Sequence, residues 1–469
     1  MKNDAHDDRS LPQANNVESL YFYPWEARFK NFISPFHEFV EQQNASGIIL
    51  MITAVVALIV ANSPWRAVYE HIINFPIVLD AGAYELKFSL LHWVNEGLMT
   101  FFFLVVGLEI KREILVGELS DMRKAALPVV AALGGMIVPA ILYTLCIPAG
   151  YYARGWGIPM ATDIAFCIAA MVMLGKRIPE GLMVFLVTLA IADDIGAVIV
   201  IAVFYTKTLH FGALGMAALL CVLLLFMNHT GVRRGLPYLL IGTLIWLALL
   251  KSGVHATISG ILVAFSIPAR AHYDQSLFIT RMGDMLRNFA GLVKPEQIIL
   301  SNSEQQTILH NMKEKIFLVE SPLQRILEIL HFPVVMVIVP AFALVNTGIP
   351  LGFEDLKFSM AHPVTLAVIA GLVFGKPIGI SLFTLLSLKT GLVSLPSAVR
   401  PKHIIGVSML GGIGFTMSIF VSELSFGANA ATLRMAKTGI FLSSLTAWTV
   451  GYLWLRLTSS REAKSGLGA

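Results

Sequence analysis

Ala190-Ile191-Ala192-Asp193-Asp194-Ile195-Gly196 places two adjacent carboxylates inside an apolar run from Gly181 to Phe204. A helix of that length crosses a bilayer, which takes about 20 residues. A charge at membrane depth costs roughly 2.5–3.5 kcal/mol even on lenient insertion scales, so two in succession point to a working site. Neighbours on a helix point about 100° apart, so the two side chains meet different surroundings. One can face a protein partner while the other faces an aqueous cavity. The expectation is an ion or proton site.

The rest of the composition agrees with a membrane setting. The chain has 469 residues, 56% hydrophobic and 14% charged, against roughly 25% charged in a soluble domain. This is the profile of an all-α polytopic membrane protein with lipid as its surroundings. The net charge of +4 is spread over loops and gives no reason to expect a nucleic-acid partner. Cys146, Cys167 and Cys221 lie in apolar segments without metal-ligand spacing, so they read as small buried hydrophobes.

Twelve spans are expected, centred on 44–62, 91–110, 126–147, 158–175, 181–204, 211–228, 236–250, 254–269, 330–347, 363–386, 402–424 and 437–456. Residues 1–42 read as a cytoplasmic tail without a signal-peptide core, and Phe29–Val40 as either an amphipathic surface helix or solvated chain. Residues 43–269 hold spans one to eight, 270–329 a long cytoplasmic loop, 330–457 the last four spans, and 458–469 a cytoplasmic tail. Lysine and arginine favour this orientation: they crowd the 111–124, 176–177, 233–234 and 389–402 loops, the long loop and both tails. Lys437 counts on the outside, at the start of span twelve.

Two extramembrane pieces stand out. In Phe75–Leu90, strand-formers flank the turn triplet Asp80-Ala81-Gly82, predicting an outside β-hairpin. Its open edge suits pairing with a second copy. Between Gln305 and Ile329, Ile308, Met312, Ile316 and Leu323 recur at helical spacing, as in a packed cytoplasmic helix or a regulatory element.

Further residues carry chemistry. Span four contains Pro159-Met160-Ala161-Thr162-Asp163, which predicts an unwound point. Asp163 suits either neutralisation of exposed helix N-termini or direct ligation of an ion. Span ten holds the deeply placed Lys376 in Gly375-Lys376-Pro377. A residue before proline is biased away from helix, so a kink is expected there, and its natural partner is Asp193 or Asp194. Gly411, Gly412 and Gly414 in span eleven predict a break or a close helix approach. Interruptions in the middle spans of triplets 3–5 and 10–12, which start on opposite sides, are the pattern of an inverted-topology repeat. Glu109 and Glu113 lie i, i+4 at the inner mouth, either paired with Lys111 or Arg112 or forming an acidic funnel. Glu96 is a further carboxylate near membrane depth, and His255 near the outer face reads as a packing histidine.

These stretches together resemble the NhaA family of sodium/proton antiporters. The matching residues are Val106–Glu113, Ala161–Phe166, Ala192-Asp193-Asp194, Lys251–Thr257, Gly375-Lys376-Pro377 and Gly414–Ser418. The resemblance implies broken helices in spans four and eleven and a homodimer joined through the outside hairpin. It implies that Asp194 ligates the cation, with Asp193 beside it and able to pair with Lys376, and Thr162 nearby. Asp163 and Lys376 offset helix-end dipoles, and Glu109 and Glu113 match a region tied to pH response. The longer N-terminal tail and the expanded 270–329 loop depart from the family pattern, so an activation pH does not carry over.

The implied activity is electrogenic, pH-regulated exchange of cytoplasmic Na⁺ or Li⁺ for external protons across a bacterial inner membrane, with no cofactor. An organic-solute symporter of the same fold is the alternative, disfavoured by three carboxylates suited to a small cation. An intramembrane aspartyl protease is more remote: no Gly-x-Gly-Asp motif is present, and the paired aspartates share one helix.

Overall fold

A computed structural model describes residues 44–80, 85–206, 209–270, 275–292, 302–350, 352–391, 393–396 and 398–459. The N-terminal tail with Phe29–Val40, the Ala81-Gly82 part of the turn and most of the C-terminal tail lie outside the described residues. Helix α1 (Asn44–Ala61) is followed by the short α2 (Arg66–Ile73), with a bend of 117° between them. Strands β1 (Pro76–Asp80) and β2 (Glu85–Ser89) pair antiparallel, with Val78 opposite Lys87. A short turn and a π-helical stretch, Trp93–Leu98, lead into α3 (Met99–Val116). Then come α4 (Met122–Cys146), a 3₁₀ segment (Tyr151–Met160), α5 (Ile164–Leu174) and α6 (Glu180–Phe204). Helices α7 (Phe211–His229), α8 (Gly235–Ser252), α9 (Ile258–Ser266), α10 (Gln275–Gly291) and α11 (Ser303–Val319) follow. The chain ends with α12 (Pro322–Asn346), α13 (Phe353–Ala361), α14 (Pro363–Lys389), α15 (Pro401–Leu410), α16 (Phe415–Phe426) and α17 (Ala430–Ser459).

Among the described residues, seven helices are long and apolar enough to cross a membrane, and two bent pairs bring the total to as many as nine. One pair is α15 with α16, bent by 48°. Apolar side chains also face outward: Leu219, Val222 and Phe226 on α7 and Leu240 on α8 are each at least 60% exposed. Water would not tolerate so wide an apolar surface, whereas lipid does. The chain is a multi-pass membrane protein.

Two hydrophobic cores organise the helices. Leu186 and Leu189 of α6 join Val368 of α14, Val407 and Leu410 of α15, Ile419 of α16 and Ile440 of α17 in the first. Leu108 of α3, Leu224 of α7, Ile245 of α8, Ala264 of α9 and Leu327 of α12 build the second. In the first bundle α4 and α14 cross very closely. A Cβ on Gly379 would lie 2.1 Å from the Gly134 carbonyl oxygen, and one on Gly134 would lie 2.3 Å from that of Gly379. Only glycine at both positions lets the backbones meet, which is how helices pack where lipid supplies no hydrophobic drive.

Local chemistry moves two boundaries from their expected places. Helix α12 starts at Pro322, well before residue 330, because the Ser321 side chain accepts from Gln324 N at 3.1 Å and Pro322 fits the first turn. Lys376 is itself helical (φ −60°, ψ −55°), so the expected departure from helical geometry is not at that residue. A π-helical stretch, Ala370–Gly375, precedes it instead. The wider turn makes room for the Pro377 ring, which would otherwise strike the carbonyl four residues back.

Candidate functional site

Both interruptions read from the sequence are present, and they cross each other. Ala161, Thr162 and Asp163 run extended between the 3₁₀ segment and α5, and Gly411–Gly414 separates α15 from α16. Asp163 N donates to the Ile413 carbonyl at 2.7 Å, and Thr162 Oγ1 donates to the Gly411 carbonyl at 2.9 Å. Cys167 Sγ donates to the Leu410 carbonyl at 3.1 Å, filling the role of a buried small side chain. Each broken chain thus supplies the partners that the other loses from its own helix, as buried backbone groups demand. Glycine also lets the α15–α16 break lie against α14: a Cβ on Gly412 would lie 2.5 Å from the Leu372 carbonyl oxygen.

Asp163 ties the two fresh helix ends together. Its Oδ1 accepts from Phe166 N at 3.1 Å, capping α5. Its Oδ2 accepts from Thr416 N at 3.0 Å and Thr416 Oγ1 at 2.6 Å, in the first turn of α16. The partial positive charges of two helix N-termini converge on one carboxylate, which is thereby saturated with donors.

Asp193 and Asp194 are brought to the same place by the middle of α6, and both are buried. Lys376 reaches in from α14 and is 1% exposed, which rules out a lysine stretched to the membrane face. Its Nζ donates to Asp193 Oδ2 at 2.5 Å and to Thr162 Oγ1 at 2.9 Å. Between the two aspartates left open as partners, the structure selects Asp193. The remaining oxygens are the notable part. Asp193 Oδ1 and Asp194 Oδ1 are buried and receive no hydrogen bond. One ammonium serves two carboxylates, leaving one negative charge without a partner. A buried charge in that state is costly unless a cation or proton joins it.

Glu109 and Glu113 stand apart from this group. Glu109 lies 3.6 Å from His331 Nδ1 on α12, a partner the sequence did not indicate. Glu113 lies 3.7 Å from Arg112 and accepts from Glu118 N at 3.1 Å. Lys111 pairs with neither. Its Nζ donates to the Phe265 carbonyl at 2.6 Å and to that of Ile267, covering the C-terminal end of α9. Val106, Ile110 and Ile191 form an apolar cluster at the contact of α3 and α6. Glu96 faces His255 Nδ1 at 3.3 Å, so that histidine meets a carboxylate rather than an apolar wall.

A second buried ion pair escaped the sequence reading. Lys437 Nζ lies 2.6 Å from Glu423 Oε1, with side-chain exposures of 11% and 13%. Lys437 is therefore buried, not part of an outside loop, because α17 already begins at Ala430. The only hint in the sequence is Glu423 near the end of an apolar run.

Residues 37–455 match the family model described as Na⁺/H⁺ antiporter 1. The chain is 46% identical over 442 residues to Na⁺/H⁺ antiporter NhaA 1 of Saccharophagus degradans, covering 94% of this chain and 95% of the relative. It is 43% identical over 435 residues to Na⁺/H⁺ antiporter NhaA of Sulfurimonas denitrificans, covering 93% and 98%. A third relative, from Syntrophobacter fumaroxidans, is 45% identical over 442 residues, covering 94% and 93%. The chain belongs to the NhaA family of sodium/proton antiporters, which are transporters rather than enzymes.

Proposed function

We propose that this protein exchanges cytoplasmic Na⁺ or Li⁺ for external protons at Asp194, with Asp193 and Thr162 beside it. The observation that carries the reading is the charge count: two buried carboxylates, one ammonium, and an oxygen on each carboxylate without a donor. A small hard cation prefers such oxygen ligands, and a proton neutralises the same oxygen. The two therefore compete for one place, and occupancy by one requires departure of the other. Lys376 holds Asp193 and gives that carboxylate a counter-charge when the site is without its cation. Asp163, already holding three hydrogen bonds from the two helix N-termini at the crossing, compensates the dipoles rather than ligating the cargo.

The fold supplies the alternation. Triplets 3–5 and 10–12 form an inverted-topology repeat, and the bundle that they build rocks against the second bundle. The chain crosses the bacterial inner membrane twelve times with both termini cytoplasmic. More protons than cations move per cycle, so exchange is electrogenic and driven by the inward proton gradient. Glu109 and Glu113 collect cations at the cytoplasmic mouth and take part in the response to pH. Two copies join through the strand pair β1–β2, and no cofactor takes part.

Everted membrane vesicles loaded with a pH-gradient dye test this directly. Addition of NaCl or LiCl, but not KCl, is expected to dequench the dye at one or more pH values between mildly acidic and alkaline. Dequenching is expected to disappear in Asp194→Asn with the protein still folded. A full response in that variant would place the exchange site elsewhere.

A further inference from the structure

Helix α2 has only eight residues, yet its sides differ sharply in character. Tyr69 and Ile73, four residues apart, face the protein. Tyr69 is buried, and its Oη donates to the Leu344 carbonyl near the end of α12 at 2.6 Å. Ile73 packs against the first core. Just past α1, Asn62 Nδ2 donates to the Ile349 carbonyl at 2.8 Å, fastening the turn to the same region. These contacts fix the rotation of the helix about its axis. On a second side Arg66 and Glu70 are exposed and paired with each other at 2.8 Å. On the third side stand Trp65, Val68 and Ile72, spaced by three and four residues as one helix face requires. They are 68%, 50% and 52% exposed.

The setting of this apolar face points to what covers it. The turn of 117° between α1 and α2 exceeds a right angle. For a spanning helix of ordinary tilt, α2 therefore lies near the membrane plane, inclined back toward lipid rather than out into water. The face also continues one that lipid already covers. Ile52, Val55 and Ile59 on α1, again spaced by three and four residues, are each more than half exposed. In a multi-pass protein such a stripe is solvated by acyl chains. It leads to Trp65 at the turn, and tryptophan favours the headgroup level, where its ring is half in lipid and half in water. Beyond it come Val68 and Ile72, with the Arg66–Glu70 pair on another side. Apolar and charged faces divided in this way are the mark of a helix lying in the interface.

We infer that α2 is an interfacial helix whose Trp65–Val68–Ile72 face inserts among the lipids of the leaflet where α1 ends. The face carries no charge, so it takes up acyl chains and not a particular headgroup. Strand β1 begins directly after α2, at Pro76. Lipid contact at α2 thereby also holds the strand pair β1–β2 at the membrane surface, while Tyr69 keeps both in step with the end of α12.

Spin labels read the surroundings of this face. The full chain carrying Cys146→Ser and Cys221→Ser receives Val68→Cys, Ile72→Cys or Glu70→Cys singly. Each variant is labelled with a thiol-specific nitroxide and reconstituted in vesicles of phosphatidylethanolamine and phosphatidylglycerol. Cys167 is buried, and the same background without an introduced cysteine supplies the signal to subtract. Molecular oxygen concentrates among acyl chains, whereas a nickel chelate stays in water. The ratio of oxygen to nickel collision rates is expected to be several-fold higher at 68 and 72 than at 70. A ratio at 68 and 72 as low as at 70 would show that the face meets water. Low collision rates with both reagents, with broadening between pairs of labels, would show that a second copy of the chain covers it. Either result overturns the assignment, and two labelled positions keep the test decisive if one variant does not fold.

Discussion

Two lysines are buried in this protein beside a carboxylate, and they do opposite things. At the crossing, Lys376 meets Asp193 with Asp194 next in sequence, so negative charge exceeds positive. Near the C-terminal end of α16, Lys437 meets Glu423 alone, with neutral Asn346 as its further partner. The first arrangement is incomplete by one charge, which is why the exchange site is proposed there. In the second the charges balance one to one. Burial alone does not distinguish the two lysines; the count of charges around each does.

The largest expected effect comes from upsetting that count at the crossing. Lys376→Met leaves Asp193 buried and unpaired, which is expected to cost about 3–5 kcal/mol of stability. Thermal unfolding in detergent measures it, and Asp193→Asn added to the same chain is expected to recover most of the loss. Independent, additive losses would show that the two side chains are not coupled. The next effect tests whether backbone contact sets the lysine's position. Gly379→Val forces a Cβ against the Gly134 carbonyl, and overpacking of this kind costs about 1–3 kcal/mol. The same substitution is expected to weaken exchange, because Lys376 sits one turn away on α14.

The complete pair is expected to respond more mildly. Asn346→Ala removes one hydrogen bond from Lys437 while Glu423 stays in place, a loss of about 1 kcal/mol by the same unfolding measurement. Smallest is Glu109→Gln, beside His331. Glu109 and His331 are 27% and 50% exposed, so breaking their contact is expected to change stability by less than about 1 kcal/mol. That difference is expected to vanish at high salt.

The sequence revealed the crossing far better than the Glu423–Lys437 pair, for a physical reason. Asp163, Asp193, Asp194 and Lys376 sit at the middle of apolar runs, where the cost of charge makes each conspicuous. Glu423 and Lys437 fall near the ends of theirs, where a charge is ordinary, and their partner Asn346 is remote in sequence. Lys111 was legible as a charge but not as the cover for the end of α9, since that pairing depends on how α3 packs against α9. The π-helical stretch before Lys376 left no signal either: the proline announced trouble in the helix but not how the backbone would accommodate it. The interrupted stretches were readable from Pro159, Thr162 and the glycines, yet the hydrogen bonds that join them exist only once the two chains cross.

The central claim is that sodium and protons compete for the one carboxylate charge without a partner. Proton release on adding NaCl to purified protein in weakly buffered detergent solution, followed with a pH indicator, tests it most directly. The wild-type chain is expected to release protons in a saturable way, and Asp194→Asn to release none. Undiminished release from Asp194→Asn would contradict the account.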